Sequence, residues 1–250
     1  MLKNERENEI FQILSERKFI TVKELSRMLY ASESSIRRDL TSLEKKGMAK
    51  RSYGGAEIVL NTGNVAPFSQ RALHNIDEKK HIARKVAALV SDNDIIFFDQ
   101  SSSALFAANE IRNLKKNITV VTNNLEIAAL FTSTDFEVHI AGGYLSPNNR
   151  NCILGSDAAA SFKNFYADIL FFSSRAISHD GIIYDCNREE ICIRNTMLEY
   201  SKKKIFLCDT EKIGKNAGFR QCSLSDTDML VTEKHPEDIP DSFKNMITVI

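Results

Sequence analysis

The first sixty residues show three groups of apolar positions at helical spacing. These positions are Ile10, Ile13 and Leu14, then Val22, Leu25, Met28 and Leu29, then Ile36, Leu40 and Leu43. Thr21 and Glu24 form a capping-box pattern at the start of the second group, in which each side chain binds a backbone amide of the other. Gly47 is placed to end the third helix in a left-handed conformation. The pattern therefore predicts three helices.

A helix-turn-helix motif is expected over residues 20–39, because two short helices are separated only by Tyr30-Ala31-Ser32. The second helix starts with serines, whose hydroxyls, like a helix amino terminus, can bind phosphates or reach base edges. Arg37 and Arg38 are neighbours and point about 100° apart, so at most one of them is well placed for base edges. The alternative is that this pair only forms a solvated face.

A β-hairpin is predicted over residues 48–59, with its turn at Gly54-Gly55, because glycine supplies the positive φ of a tight turn. A hairpin after a helix-turn-helix is a wing, whose edge is expected to lie along the DNA backbone or an adjacent minor groove. The candidate DNA-binding residues are Thr21, Ser32, Ser34, Ser35, Arg37, Arg38, Lys50, Arg51 and Tyr53.

The rest of the chain alternates short apolar runs with helical runs. Strands are predicted over 95–98, 118–121, 136–141, 168–172, 204–208 and 229–232, and helices over 77–90, 102–112, 125–131, 157–164 and 188–200. This alternation favours a mostly parallel, Rossmann-like α/β sheet covered by helices on both faces. The predicted domains are a winged helix-turn-helix at 1–57, a linker at 58–75 and an α/β domain for effector binding and oligomerisation at 76–250.

Polar residues follow five of the predicted strands, at the edge where ligands of parallel sheets bind. A serine-rich turn that enters a helix suits a phosphate, because amides, hydroxyls and the helix dipole converge on the anion. Arg175 and Lys212 offer countercharge, and a sugar phosphate fits this chemistry. The candidate effector-binding residues are Asp99, Gln100, Ser101, Ser102, Ser103, Thr122, Asn123, Asn124, Gly142, Gly143, Arg175, Asp209 and Lys212.

Each of these loops also has a purely structural interpretation. The serines are as compatible with a helix cap and a flexible loop, and Asp99 with a cap alone. Gly142-Gly143 would then be a turn, and Asp209 and Lys212 a surface pair. The functional interpretation depends on five such loops meeting at one predicted sheet edge.

These motifs resemble the DeoR family of bacterial transcriptional regulators over nearly the whole chain. The matching segments are Ile36-Arg37-Arg38-Asp39-Leu40, Leu43-Glu44-Lys45-Lys46-Gly47, Arg51-Ser52-Tyr53-Gly54-Gly55-Ala56, Glu78-Lys79-Lys80-His81-Ile82-Ala83, Thr122-Asn123-Asn124, Gly142-Gly143, Gly155, Gly181 and Asp209-x-x-Lys212. The resemblance implies an effector domain similar in fold to ribose phosphate isomerases. It also implies a repressor of sugar or related carbon metabolism genes, released from DNA by a phosphorylated sugar or a similar metabolite.

Two departures from the family pattern bear on the effector domain. Gln100-Ser101-Ser102 stands where a glycine, a serine or threonine and a threonine are usual, which removes a glycine that lets phosphate approach the backbone. Ser173 and Ala176 replace glycines around the fourth loop. These changes leave open a constitutive DNA-binding protein whose second domain only oligomerises.

The distribution of charge bears on the affinity of the protein for DNA. The net charge of the 250 residues is zero, which excludes a histone-like polycation, yet residues 1–57 hold 12 Lys and Arg against 9 Asp and Glu. So few cations imply weak non-specific binding by one protomer, since affinity rises with the number of phosphates neutralised. We therefore expect a homo-oligomer, a dimer or tetramer, on double-stranded operator DNA.

Other chemistries receive little support. The five cysteines lack metal-binding or disulfide spacing, so no metal and no cofactor are expected. The chain lacks a secretory signal and an apolar run of about 18 residues, so a cytoplasmic protein without membrane contact is predicted.

The alternative to a regulator is an enzyme like a sugar-phosphate isomerase or deaminase, for which Asp99, Glu189, Glu190, Asp209 and Lys212 are available. No convincing acid–base pair emerges, and we predict a regulator and not an enzyme.

Overall fold

The computed structural model describes residues 3–45, 47–58, 67–114 and 117–250. The chain divides into two compact units, Met1–His74 and Asn75–Ile250. Among the helices in the described ranges, none combines the length and the apolar character needed to cross a membrane.

The first unit is a winged helix-turn-helix, as predicted. Its helices α1–α4 are Lys3–Arg17, Val22–Met28, Glu33–Lys45 and Phe68–Leu73, and its strands β1–β3 are Phe19–Thr21, Ala49–Ser52 and Gly55–Ile58. β3 pairs with both β1 and β2 in an antiparallel sheet. The prediction did not include β1, because three residues carry too little periodicity to distinguish a strand from a break between helices.

A buried ion pair joins α3 to α1 beside the apolar core of this unit. The Asp39 carboxylate accepts hydrogen bonds from Arg6 Nε at 2.6 Å and from Arg6 Nη2 at 3.3 Å. Asp39 is 1% exposed, and a carboxylate this deeply buried needs such a partner. Asp39 therefore has a structural role within the Arg37-Arg38-Asp39 segment.

The stretch predicted as a linker contains a helix. α4 begins at Phe68, which is buried, and packs against α1. Gln70 Nε2 also donates to the carbonyl oxygen of Gly47 at 3.3 Å. This helix was not predicted because the stretch is mostly polar, and Phe68 is the single aromatic residue that anchors it. Residues 59–66, which include the last residue of the predicted wing, lie outside the described ranges.

The two glycines of the wing have different roles. Gly54 has a φ of +78°, as the turn requires, whereas Gly55 needs no positive φ. A Cβ at Gly55 would lie 2.3 Å from the carbonyl oxygen of Ile20, because β3 and β1 approach closely there. Of the predicted Gly54-Gly55 turn, Gly54 alone therefore supplies the positive φ.

The second unit is an α/β domain. Strands β4–β15 are Ile95–Phe98, Thr119–Thr122, Glu137–Ile140, Tyr144–Leu145, Ile153–Leu154, Ala167–Phe172, Ala176–Ile177, Ile182–Asp185, Ser201–Leu207, Phe219–Ser223, Met229–Val231 and Thr248–Val249. Helices α5–α10 are Ile76–Ala87, Ser102–Ile111, Leu125–Leu130, Ser156–Phe162, Arg188–Glu199 and Asp241–Lys244. The main sheet is parallel with the order β15-β14-β12-β9-β4-β5-β6. The six predicted strands are six of these seven.

Apolar side chains cover both faces of this sheet. Ile96 and Phe98 of β4 belong to one buried cluster together with residues of α5, α6 and α7, whereas Phe97 belongs to a second cluster together with residues of α8 and α9. Each central strand is therefore buried on both sides, which explains the nearly continuous apolar runs in the sequence.

The direction in which strands are added to the sheet reverses between β4 and β9. β4, β5 and β6 follow one another toward one edge, and β9, β12, β14 and β15 toward the other. Ligands of open parallel sheets bind at the carboxyl ends of strands next to such a reversal. The carboxyl ends of β4 and β9 are thus the position at which such sheets commonly hold a ligand.

We expect Gly55→Ala to destabilise the first unit by about 1–3 kcal/mol, because the added methyl group overpacks the β1–β3 contact. Hydrogen exchange of the β1 and β3 amides in the full chain measures this loss. Gly54→Asn is the matched control, since nothing lies within 4 Å of a Cβ at that position and asparagine tolerates a left-handed conformation. Equal exchange rates in the two variants would contradict the assignment.

Candidate DNA-binding surface and effector site

The amino end of α3 carries a cluster of serine hydroxyls. Ser32 Oγ accepts from the backbone amide of Ser35 at 3.2 Å and lies 3.0 Å from the hydroxyls of both Ser34 and Ser35. Ser32 and Ser34 are exposed. Because hydroxyls rotate and the helix dipole favours an anion here, this cluster can turn its O–H groups toward a phosphate.

The two arginines of α3 are both exposed but have different partners. Arg37 Nη2 lies 2.6 Å from Glu33 Oε2, one turn earlier, whereas Arg38 Nε contacts the carbonyl oxygen of Ser34 at 3.5 Å. An exposed pair of this spacing contributes about 0.3–0.5 kcal/mol. Arg37 must therefore exchange an ion pair to reach DNA, and Arg38 only a weak hydrogen bond.

The wing is attached to α3 through Arg51. Its backbone amide donates to Glu44 Oε1 at 2.9 Å, and its Nη1 donates to Thr41 Oγ1 at 3.4 Å. Lys50 is exposed beside it, and Tyr53 is fully exposed at the turn. These contacts place three groups suited to DNA on the wing next to α3.

The hydroxyl of Thr21 is engaged in a helix cap, whereas Tyr30 is exposed. The Thr21 hydroxyl is engaged in the predicted capping box, donating to Glu24 Oε2 at 2.6 Å and accepting from the Glu24 amide at 3.2 Å. Tyr30, in the turn before α3, is 98% exposed with a φ of +49°. It was not selected from the sequence, although a bulky aromatic residue in a tight helix-turn-helix is itself a signal.

In the second unit, Asp99 lies at the end of β4 and is fully buried. Its Oδ1 accepts from the Ser101 amide at 3.0 Å, and its Oδ2 accepts from the Ser173 amide at 3.3 Å and from Arg194 Nε at 2.9 Å. Asp99 therefore connects the ends of β4 and β9 to helix α9. This geometry gives Asp99 more partners than a simple cap.

Arg194 is a fully buried cation at the centre of this network. Besides Asp99, it contacts Asp185 Oδ2 at 3.0 Å through Nη1 and also donates to Gln221 Oε1. Burial alone would lower the pKa of Arg194, but the surrounding carboxylates outweigh burial and raise that pKa above its usual range. The guanidinium is thus charged and supplies the countercharge to both aspartates.

A second group of charges lies at the end of β12. Lys212 Nζ lies 3.1 Å from Asp209 Oδ2 and donates to Ser173 Oγ at 2.8 Å. Burial would raise the pKa of Asp209, but the nearby Lys212 and Lys79 lower it below its usual value. The predicted pair Asp209–Lys212 is therefore a partly buried contact at the sheet edge and not a surface pair.

The end of β5 is also fully buried. Thr122 Oγ1 donates to the carbonyl oxygen of Phe98 at 2.9 Å, which joins β5 to β4 beyond their ladder. Asn123 Nδ2 donates to the carbonyl oxygen of Ile153 at 3.0 Å, and Asn124 Oδ1 caps α7. These residues and the β4 end therefore form one continuous polar edge.

Three predicted effector residues have contacts elsewhere. Arg175 is exposed, and its guanidinium opposes the rise that burial causes in the pKa of Cys186. Gly142 donates its amide to Ser161 Oγ at 3.1 Å. A Cβ at Gly143 would lie 2.2 Å from the carbonyl oxygen of Leu154, so the hairpin of β7 and β8 accounts for this glycine. None of these contacts joins the three residues to Asp99 or Lys212.

Comparison with known proteins identifies the family. A DeoR-like helix-turn-helix domain matches residues 6–62, and a DeoR C-terminal sensor domain matches residues 74–234. This chain belongs to the DeoR family. The transcriptional regulator GolR of Listeria innocua is 33% identical over 92% of this chain and 90% of its own length. The glycerol-3-phosphate regulon repressor of Escherichia coli is 28% identical, with 94% and 93% covered.

Solved structures show a more distant similarity. Ribose 5-phosphate isomerase A of Methanocaldococcus jannaschii has 14% identity and a TM-score of 0.43, covering 56% of this chain and 55% of its own. The DeoR relatives named above are transcriptional regulators, which agrees with the prediction of a DNA-binding regulator and not an enzyme.

At the two departures from the DeoR pattern, the side chains of Gln100 and Ser173 form specific hydrogen bonds. Gln100 Nε2 donates to Glu190 Oε2 at 3.0 Å. Ser173 Oγ donates to the carbonyl oxygen of Leu207 at 2.6 Å and accepts from Lys212. The side chains of Gln100 and Ser173 thus take part in the polar network of this site.

Several members of the network were not among the predicted effector-binding residues. Arg194, Glu190, Asp185 and Lys79 do not follow a central strand directly, and each reaches the edge from a flanking helix or a small strand. A usable signal was present on α9, where Glu190 and Arg194 are four residues apart in an otherwise apolar stretch and so share a helix face.

We expect Arg194→Met to destabilise the second unit by about 3–5 kcal/mol, because two buried carboxylates lose their countercharge. Urea unfolding of the full chain, followed by hydrogen exchange in β4 and β9, measures this loss. Arg188→Met on the same helix is the matched control, since Arg188 is exposed and lies 5.6 Å from the Phe219 ring. That control should lose about 1 kcal/mol or less. Equal losses in the two variants would refute the role of Arg194.

Proposed function

We propose that this DeoR-family protein represses transcription by binding operator DNA through its first unit. α3 enters the major groove, and the wing lies along the adjacent backbone. The observation that carries the proposal is the exposed cluster of hydroxyls and guanidinium groups at the start of α3, next to the wing. The contacting residues are Thr21, Ser32, Ser34, Ser35, Arg37, Arg38, Lys50, Arg51 and Tyr53.

The protein acts as a homo-oligomer, a dimer or tetramer. Residues 1–57 have only three more basic than acidic side chains, so one protomer neutralises few phosphates and binds weakly. Two protomers on adjacent half-sites double these contacts and read a palindromic operator. Operator affinity therefore depends on how the protomers are spaced.

The second unit senses a phosphorylated sugar or a related metabolite at the carboxyl edge of its sheet. This proposal is supported by the reversal of strand order at β4 and β9 and by the buried polar groups found there. Binding favours a state in which the protomers no longer match the operator spacing. The effector-binding residues are Asp99, Gln100, Ser101, Ser102, Ser103, Thr122, Asn123, Asn124, Gly142, Gly143, Arg175, Asp209 and Lys212.

Asn75 connects this edge to the start of the second unit. It is the first residue of that unit and has a left-handed φ of +51°. Its Nδ2 donates to Asp209 Oδ1 at 3.2 Å and to Glu211 Oε2 at 2.8 Å. An effector that displaces Asp209 therefore moves Asn75, where the chain enters the unit. Through this movement, effector binding is transmitted to the DNA-binding domain.

We expect Arg38→Ala to weaken operator binding about tenfold or more and to reduce its salt dependence by about one phosphate contact. Arg37→Ala should lose less, because Arg37 gives up its pair with Glu33. Gel shifts of the DNA upstream of the gene, at several salt concentrations, measure both effects. Arg17→Ala, an exposed arginine of α1, is the control. Unchanged affinity in both α3 variants would rule out α3 as the recognition helix.

We expect Asn75→Gly to retain operator affinity but to need about tenfold more effector for release from DNA, since glycine keeps the left-handed conformation and removes the contacts with Asp209 and Glu211. Thermal shift against a panel of sugar phosphates and glycerol 3-phosphate identifies the effector, and gel shift measures release. Asn93→Gly is the matched control, because Asn93 is also left-handed at φ +67° and lies at the opposite end of β4. Normal release of the Asn75 variant would refute this route, and a panel without any hit would favour a constitutive DNA-binding protein.

A further inference from the structure

Five buried polar atoms at the carboxyl ends of β4 and β5 have no protein partner among the described residues. They are Gln100 Oε1, Ser103 Oγ, Asn123 Oδ1, Asn124 Nδ2 and Asn149 Nδ2. Each of these residues is at most 4% exposed. Buried polar groups in proteins are nearly always paired, because an unpaired one costs free energy. Five of them in neighbouring segments indicate a place for a ligand.

Two of the free atoms are hydrogen-bond acceptors. Gln100 Nε2 donates to the carboxylate of Glu190, which leaves Oε1 as the free atom. Asn123 Nδ2 donates to the carbonyl oxygen of Ile153, which leaves Oδ1. Since a carboxylate and a carbonyl only accept, these partners fix the orientation of both amides.

Two other free atoms are donors. Asn124 Oδ1 accepts from the backbone amides of Glu126 and Ile127, which leaves Nδ2 free. Asn149 Oδ1 accepts from the amide of Asn151 at 3.3 Å, which again leaves Nδ2. Ser103 Oγ both donates and accepts. The five atoms thus offer donors and acceptors in about equal number.

Asn149 reaches this edge from the loop between β7 and β8. Its carbonyl oxygen accepts from the Cys152 amide at 2.8 Å, and Cys152 forms an isolated β-bridge with Asn124. Cys152 Sγ also lies 3.6 Å from Asn123 Nδ2. The loop is therefore fastened to the end of β5, and it brings a residue that no strand-end pattern indicates.

We propose that these five residues, which we call the hydroxyl subsite, bind the hydroxyl-bearing carbon chain of the effector, and that Asn149 is a specificity-determining residue. The inference rests on the proposed sensing function. Neighbouring hydroxyls of a sugar or polyol each donate and accept, which matches this mixture of free atoms. A phosphate dianion only accepts, and it would face the free acceptors of Gln100 and Asn123 beside the carboxylate of Glu190. The phosphate of the effector therefore lies outside the hydroxyl subsite.

Two substitutions test this inference with little change of shape. Asn124→Asp and Asn149→Asp keep the Oδ1 that accepts from the backbone and turn the free donor into an acceptor. Asn124→Asp also retains its helix cap, because a carboxylate is favoured at a helix amino terminus. Asn113→Asp in the exposed turn after α6 is the control for added charge. The probes are matched pairs of free and phosphorylated compounds, glycerol with glycerol 3-phosphate and ribose with ribose 5-phosphate, together with inorganic phosphate.

Thermal shift and calorimetric titration of the full-length protein provide the readout. For a compound that binds the wild type, we expect both variants to bind at least about tenfold more weakly, while inorganic phosphate binds all four proteins equally. Unchanged affinity in Asn124→Asp and Asn149→Asp would overturn the hydroxyl subsite and leave the sensing function intact. A response to inorganic phosphate alone that the two variants abolish would make this edge a phosphate site. If no probe shifts the wild type while operator binding persists, the sensing function itself fails, and the subsite fails with it.

Discussion

The position of Arg194 between Asp99 and Asp185 is the constraint on which the second unit depends. Asp99 closes the reversal between β4 and β9, since it accepts both from Arg194 and from the first amide beyond β9. A carboxylate in such a place would be too costly to bury without a cation, and Arg194 supplies one from α9. The edge of the sheet can therefore be polar and closed to solvent at once, which a site that distinguishes small polar molecules requires.

The first unit follows the same rule on a smaller scale. Arg6 balances the buried Asp39, and this pair orients α3 on α1 so that the opposite side of α3 remains exposed. Three consecutive charged residues consequently have three roles. Asp39 supports the fold, Arg37 is held by Glu33, and Arg38 is the least restrained. The three charged residues 37–39 are adjacent in sequence, but their different partners in the structure give them different roles.

Prediction from the sequence succeeded where a feature is local and repeated. Amphipathic helices such as α3 and the apolar runs of β4 and β9 carry enough periodic positions to be found, and the residue after a strand marks its end. It missed β1 and the small strands, which have too few residues to show a period. It also missed Arg194 and Asn149, because their approach to Asp99 and Asn124 is set by helix packing and a loop. Gly55 illustrates the same limit, since glycine is required there by the close contact of β3 with β1 and not by the turn.

The contacts at the sheet edge join parts of the chain that are far apart in sequence. Asp99 and Arg194 are separated by 95 positions, and Asn75 and Asp209 by 134. Such contacts close large loops, so they form only when most of the unit has assembled. The edge therefore depends on the folding of the whole unit and not of a single segment. A molecule that bound there would hold the first and last thirds of the unit together, and its binding energy would oppose the unfolding of the whole unit.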